Sequence, residues 1–208
     1  MPGTGGAPVV KRALDITLAG TGLILSSPLW LLFAAAIRLE DGGPVFYSQE
    51  RVGFGGQVFD ALKFRSMRTD AEAGVGAVQA IEDDPRVTRI GRFMRRTAMD
   101  ELPQLWNIFR GDMSFVGPRA LRPGEVESAG GAAVRIDQIP GYEARIAVRP
   151  GLTGIAQIYA PRDVPRRQKF RYDRLYVRQQ SMSLDCRLIL LSFWISFLGT
   201  WESRGRKY

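Results

Sequence analysis

A run of 25 mostly apolar residues from Ala13 to Ile37, broken near its middle by Ser26-Ser27-Pro28, constrains this chain more than any other feature. As one unbroken helix at ~1.5 Å per residue it reaches about 37 Å, enough to cross a hydrocarbon core of ~30 Å. Proline removes a backbone donor, and a serine hydroxyl can bond a carbonyl that the proline frees, so a kink is expected at Ser27-Pro28. Each arm is then roughly 18 Å long, too short to cross alone. Lys11-Arg12 and Arg38 place positive charge at both ends, which gives a simple span no preferred orientation. Both flanks are satisfied if both ends lie in the cytosol. A re-entrant, hairpin-like helix over residues 11–39 is therefore expected, with an ordinary kinked span as the alternative. A signal peptide fits poorly, because the run is long for that role and no convincing cleavage site follows it. The Gly/Pro-rich residues 1–10 are expected to be loose.

Net charge bounds the partners. The 208 residues carry 29 basic and 21 acidic side chains, a net charge of +8. That excess favours an anionic partner: nucleic acid, a phosphorylated small molecule or an acidic membrane face. Arginine greatly outnumbers lysine, which suits bidentate phosphate recognition and equally a GC-rich genome. Histidine is absent, which excludes Ser-His-Asp and Cys-His catalysis and His-ligated zinc. Acid-base, nucleophilic or metal-binding work falls mainly to carboxylates. Cys186 is the single cysteine, so no internal disulfide forms, and it reads as inert packing in an apolar run.

Val45–Gln49 and Val58–Arg65 read as two strands of a β-hairpin around Gly53-Phe54-Gly55-Gly56. Residues 70–86 are acidic and loop-like. Residues 90–110 read as helix interrupted at Pro103, and the Gly/Pro-dense residues 111–154 as irregular loops. The cation-rich, aromatic-laced stretch 165–178 suits an acidic bilayer or nucleic acid. The apolar stretch 184–201 reads as a helix lying in the membrane interface, or as an ordinary core helix.

The most informative segment for chemistry is Arg95-Arg96-Thr97-Ala98-Met99-Asp100-Glu101-Leu102-Pro103-Gln104. Proline is tolerated best in a first helical turn, so Asp100 and Glu101 are expected near a helix N-terminus, with Thr97 or Asp100 as the cap. That end favours anions and can hold a phosphate. Adjacent carboxylates can bind a hard cation such as Mg²⁺, and a carboxylate can accept a phosphoryl group covalently. Taken in isolation, such a pair is more commonly plain helix capping. Lys63 and Arg65, Arg119 after Gly117-Pro118, and Arg149 before Pro150-Gly151 are further phosphate-binding candidates, because glycine admits close backbone approach and arginine supplies charge. Each also reads as a solvated turn residue.

Taken in order, KRALD, the Ser-Pro-broken helix, GPVFYSQERVG, KFRSM, DELPQLWNIFRGDMSFVGPR, RPGLTG, YDRLYV and SLD resemble the bacterial sugar transferases, the monotopic polyprenol-phosphate phosphoglycosyltransferases. Ala120 stands where the family commonly has a second proline after the Gly-Pro-Arg triplet. The resemblance implies an α+β, mostly helical fold, with a cytosolic catalytic domain over residues 40–208 on a re-entrant helix broken at Ser27 and Pro28. It implies residence on the bacterial inner membrane and, lacking extra N-terminal spans, a minimal catalytic form. It implies that a nucleoside diphosphate sugar, usually a uridine one, gives its sugar-1-phosphate to polyprenol phosphate and releases UMP. By motif, Asp100 is the nucleophile and Glu101 assists with Mg²⁺, or Mn²⁺ in its place. Arg95 and Arg119 match phosphate-binding positions, and Lys63 and Arg149 match motif positions of less defined role. A basic nucleic-acid-binding protein at the membrane is the main alternative, though it leaves the Asp-Glu pair and the broken helix without roles. A noncatalytic assembly protein of a glycan pathway is a third reading.

Overall fold

The computed structural model describes residues 7–71, 84–129, 132–161 and 164–201. It is an α+β fold and mostly helical. Helix α1, Ala7–Asp41, carries Pro28 inside a continuous helix. Residues 7–10 are therefore helical rather than loose, and the expected hairpin-like chain reversal at Ser27-Pro28 is absent. The local chemistry of the break is nonetheless present. Pro28 cannot donate to the Ile24 carbonyl four residues back, and the Ser27 hydroxyl donates to that oxygen at 2.8 Å. Ser26 accepts from the Trp30 indole at 3.0 Å, which further ties this turn. Replacing the missing bond lets the helix run through its proline.

Strands β1, Phe46–Val52, and β2, Val58–Phe64, form the antiparallel hairpin, with Tyr47 opposite Lys63 and Arg51 opposite Phe59. Helix α2, Arg89–Arg96, is capped by the Thr88 hydroxyl, and Glu40 of α1 also accepts from the Arg89 and Ile90 amides at its start. A 3₁₀ turn over Met99–Glu101 leads to helix α3, Gln104–Arg110.

The stretch expected to be loops, residues 111–154, holds short strands β3, Ser114–Val116, β4, Val126–Ala129, β5, Ala132–Arg135, and β6, Gly151–Thr153, together with helix α4, Tyr142–Ile146. β3 and β6 pair in parallel. Local sequence pattern conceals that pairing, since it depends on two glycines far apart in the chain. A Cβ on Gly117 would fall 2.4 Å from the Arg149 carbonyl oxygen, and one on Gly151 would fall 2.0 Å from the Gly117 nitrogen. The Gly-Pro-Arg and Pro-Gly-Leu-Thr-Gly motifs are thus two sides of one backbone contact. Helices α5, Ile155–Tyr159, α6, Arg166–Gln179, and α7, Met182–Leu198, complete the described fold. Of the acidic loop expected over 70–86, residues 72–83 lie outside the described residues.

The main core joins Leu105 and Ile108 of α3, Phe115 and Val116 of β3, Ile155 and Ile158 of α5, Tyr176 of α6 and Leu188 and Ile195 of α7 around Ala19 of α1. A second cluster joins Phe33 and Ile37 of α1 to Phe64 of β2 and Met94 of α2. Both halves of α1 therefore pack on the same body. Its termini are bolted down by charge. Lys11 bonds Asp185 at 2.6 Å and the Val116 carbonyl at 3.1 Å, and Arg12 donates to the Ile108 and Phe109 carbonyls at the end of α3. Asp15 accepts from the Ser114 hydroxyl and the Phe115 amide. At the other end Arg65 grips Asp41 and the Pro44 carbonyl. The charges read as membrane flanks are, for Lys11 and Arg12, partly buried ties to the domain.

Candidate active site

Asp100 and Glu101 lie in the 3₁₀ turn before α3 rather than at its cap. The cap position is Pro103, with no side-chain cap bond, and Thr97 instead closes α2 by donating to the Phe93 and Met94 carbonyls. The chain enters the turn through Ala98 at φ 56°, ψ 20°, the left-handed region that a non-glycine residue adopts at a cost. Strain of this kind survives where surrounding contacts over-determine it. Here Ala98 sets the two carboxylates on the side of the turn that faces β2.

The two acids are held differently. Glu101 Oε1 accepts from Lys63 Nζ at 2.5 Å and from Arg119 at 2.9 Å. Burial pushes the Glu101 carboxyl up, but Arg119 and Lys63 overcome it and hold the group well below the usual range. Asp100 is 8% exposed, and among the described residues nothing donates a hydrogen bond to its carboxylate. Burial pushes its pKa up; Lys63 pulls back, Glu101 adds to the rise, and Arg95 and Arg119 pull back more weakly. The site thus holds one carboxylate fixed as a charge by two cations and one that is buried with no described hydrogen-bond donor.

Lys63, Arg95 and Arg119 thus converge on the acid pair. Arg149 does not join them through any contact among the described residues: its side chain donates to the Gly111 carbonyl at 2.9 Å, while its own carbonyl backs Gly117. Arg65, named with Lys63 in the same motif, serves α1 instead.

Sequence reasoning missed the row beside Lys63. Side chains alternate across a strand, so Tyr47, Gln49 and Arg51 of β1 share the Lys63 face. They form a ladder: Gln49 donates to the Tyr47 hydroxyl at 3.1 Å, and Arg51 donates to Gln49 and, at 3.1 Å, to the Ala120 carbonyl next to Arg119. Burial brings the Arg51 pKa down to about 10, helped by Arg119 and Arg122. The alternation in Tyr47-Ser48-Gln49-Glu50-Arg51 carried this signal. A deeper tier sits behind Arg119. Arg145, 6% exposed, pairs with Asp173 at 3.1 Å, lies 4.4 Å over the Phe170 ring and donates to the Arg119 carbonyl at 2.5 Å.

Mg²⁺ commonly takes one or two protein carboxylates and completes its octahedron with water and substrate phosphates. Asp100 and Glu101 fit that pattern, and Asp100 has lone pairs to give because nothing described donates to it. Among the described residues no group of three or more His, Cys, Asp or Glu side chains offers an all-protein cage.

Residues 6–199 match the family described as bacterial sugar transferase. The chain is 43% identical over 189 residues to the undecaprenyl-phosphate glucose phosphotransferase of Komagataeibacter xylinus, covering 88% of this chain and 35% of that one. It is 42% identical over 186 residues to the exopolysaccharide production protein PSS of Rhizobium leguminosarum bv. phaseoli, covering 87% and 92%. It is 42% identical over 187 residues to the UDP-glucose:undecaprenyl-phosphate glucose-1-phosphate transferase of Caulobacter vibrioides, covering 86% and 67%. The chain thus spans about a third of the Komagataeibacter relative and nearly all of the Rhizobium one.

Proposed function

This chain belongs to the bacterial sugar transferase family, and from that premise we propose that it moves a sugar-1-phosphate from a uridine diphosphate sugar to a polyprenol phosphate, releasing UMP, as the first membrane step of a glycoconjugate or exopolysaccharide pathway. The names of the relatives support the lipid carrier and the sugar donor. The observation that carries the mechanism is the contrast between the two acids: Glu101 is tied by Lys63 and Arg119, while Asp100 is buried with nothing described donating to its carboxylate.

In the first half-reaction a carboxylate oxygen of Asp100 attacks the sugar-bearing phosphorus. The new O–P bond forms as the bond to UMP breaks, and UMP leaves with the electron pair. In the second, a phosphate oxygen of the polyprenol phosphate attacks the same phosphorus and returns the Asp100 carboxylate. Two anions meet in each step, so Arg119, Arg95 and Lys63 offset the charge that develops on the transferring group. Glu101 holds Lys63 and Arg119 in place for this. A bound Mg²⁺, or Mn²⁺, on Asp100 and Glu101 would neutralise phosphoryl charge as the substrate arrives.

The position of α1 supports a monotopic arrangement on the cytosolic face of the inner membrane. Both of its ends are tied to the catalytic body, while Ile24, Leu25 and Leu31 near its middle are about three-quarters exposed at 74%, 74% and 76%. An apolar middle with anchored ends suits a helix that dips into one leaflet.

The mechanism is tested by mixing protein with sugar nucleotide before any polyprenol phosphate is added. UMP should appear in an amount at most equal to the protein, and an adduct of sugar-phosphate mass should map to Asp100 and discharge on addition of polyprenol phosphate. Turnover without burst or adduct would instead mean direct attack by the acceptor, with Asp100 as a metal ligand.

A further inference from the structure

Beneath the hairpin lies a groove of about 380 Å³, lined by Leu23 and Trp30 of α1, Phe46 and Leu62 of the hairpin, and Pro103 and Trp106 at the start of α3. Its size falls within the usual range of small-molecule sites. Every lining side chain is predominantly apolar, so a polar ligand would lose hydration there without gaining a partner. Its position relates it to the charged site. Leu62 precedes Lys63 on β2, and side chains alternate along a strand, so Leu62 faces the groove while Lys63 faces Glu101. Pro103 follows Glu101 by two residues. The dry groove and the charged site therefore lie back to back across one strand end, with the turn from Glu101 to Pro103 at the seam.

On its outer side the groove is continuous with apolar surface. Phe46 and Trp106 are half-exposed, Trp106 stacks on Phe109 at 6.0 Å, and Leu25 and Leu29 of α1 are exposed nearby in sequence to Trp30. Across the Glu101–Pro103 seam the surroundings change from hydrocarbon in the groove to Lys63, Arg95 and Arg119 around the acids. That change matches an amphiphile with an anionic head and a hydrocarbon chain.

We propose that this groove holds the first isoprene units of the polyprenol phosphate acceptor and so delivers its phosphate to Asp100. The inference rests on the transfer reaction proposed above. A bilayer acyl chain would also fill an apolar groove, but it would be indifferent to the cations at the far end. Dependence on the phosphate separates the two.

The test is photolabelling of the full chain in nanodiscs with a geranylgeranyl phosphate carrying a diazirine on its second isoprene unit. Adducts should map to Leu23, Trp30, Leu62 or Trp106, and unlabelled geranylgeranyl phosphate should suppress them at least tenfold more effectively than geranylgeraniol. Leu62→Trp, which fills the groove, should cut this labelling at least fivefold and raise KM for the acceptor at least fivefold more than KM for the donor. If that variant folds poorly, Trp106→Ala serves the same purpose by widening the groove, and it should redistribute the adducts along it. Label spread over Leu25, Leu31 and Leu32, or equal competition by the alcohol, would overturn the proposal in favour of bulk lipid. UMP release by the same preparation reads the parent reaction separately. Release with an unlabelled groove would sink the groove assignment alone, and a phosphate-dependent label without release would keep the groove and sink the transferase reading.

Discussion

At the residue scale, the two acids of one dipeptide meet opposite surroundings: Lys63 and Arg119 hold Glu101 ionised, while burial disfavours the charge on Asp100. The sequence made Asp100-Glu101 legible as a pair and could not separate nucleophile from cap, because capping depends on where the helix starts. The structure removes the cap role, so Asp100→Asn should behave differently from a lost cap. Asp100 has a folded-state pKa above its ordinary 3.8, raised by burial and by Glu101. A raised carboxyl pKa contributes stability below the unfolded value and loses it as pH rises through the folded value, so the ionised group is a cost at neutral pH. Asp100→Asn should therefore abolish both half-reactions and raise Tm near pH 7, at roughly 2–4 °C per kcal/mol recovered. A thermal shift paired with a UMP assay checks this; a lower Tm would contradict the unbonded, buried carboxylate. The same shift sets a pH limb. The burst needs ionised Asp100, so its rate should fall with acidity at a pH above the ordinary carboxylate range. Lys63→Met removes the largest neighbouring pull toward ionisation and should move that limb higher. A limb unmoved in Lys63→Met, read by burst rate against pH, would detach Lys63 from Asp100.

At the scale of elements, the hairpin and the helical pieces around Pro103 could be read from alternation and proline placement, because those signals are local. The parallel β3–β6 pair could not, since its cause is contact between Gly117 and Gly151 across more than thirty residues of chain. The aspartates of the YDRLYV and SLD motifs were likewise visible as letters without roles. Asp173 holds Arg145 behind Arg119, and Asp185 joins Lys11 and the Tyr176 hydroxyl, which lies 2.8 Å from it. Arg145 is thus a positioning residue for the Arg119 loop. Asp173→Asn leaves a buried guanidinium without its counter-charge and should cost about 3–5 kcal/mol. Replacing both, Arg145→Met with Asp173→Leu, should recover much of that stability while kcat stays low, because the bond to the Arg119 carbonyl is still missing. Denaturant unfolding beside kcat separates the two effects. Recovery of kcat together with stability would mean that the pair serves folding alone. Cys186, read as packing, is exposed on α7, whose buried face is instead Asp185, Leu188, Ile189 and Ile195.

At the scale of the whole molecule, the contradiction lies between a helix long and apolar enough to cross a membrane and anchors that hold both its ends to one body. Val9–Asp41 passes as a span by length and composition. A spanning helix, however, would carry Lys11 and Asp15 to the far side of the bilayer, away from Asp185, Ser114 and Phe115. Breaking those ties would strand the buried Asp185 and Asp15 carboxylates, each 2% exposed or less, without their partners. Apolar surface on α7, where Phe193 and Phe197 are exposed beside the half-exposed Trp194, gives the body a second face that a bilayer would cover. These facts favour residues 7–10 and the described residues between Asp41 and Trp201 on the same side. Cysteines introduced at Val9 and at Asp70, in the background Cys186→Ser, should both resist an impermeant thiol reagent in intact cells and both react after lysis. Labelling of the Val9 site alone from outside would establish a span. The anchors also set what a disrupted break should do. Ser27-Pro28→Leu-Leu removes the proline and its hydroxyl substitute and makes the middle of the already continuous helix more apolar, but it leaves Lys11, Arg12 and Asp15 bonded. The double substitution alone should shift only part of the population to the spanning form, whereas adding Lys11→Met and Asp15→Asn should shift most of it, because the energy holding the N-terminus to β3 and α7 is then gone. Full conversion by the Leu-Leu change alone would show that the proline, and not the anchors, holds the helix on one side.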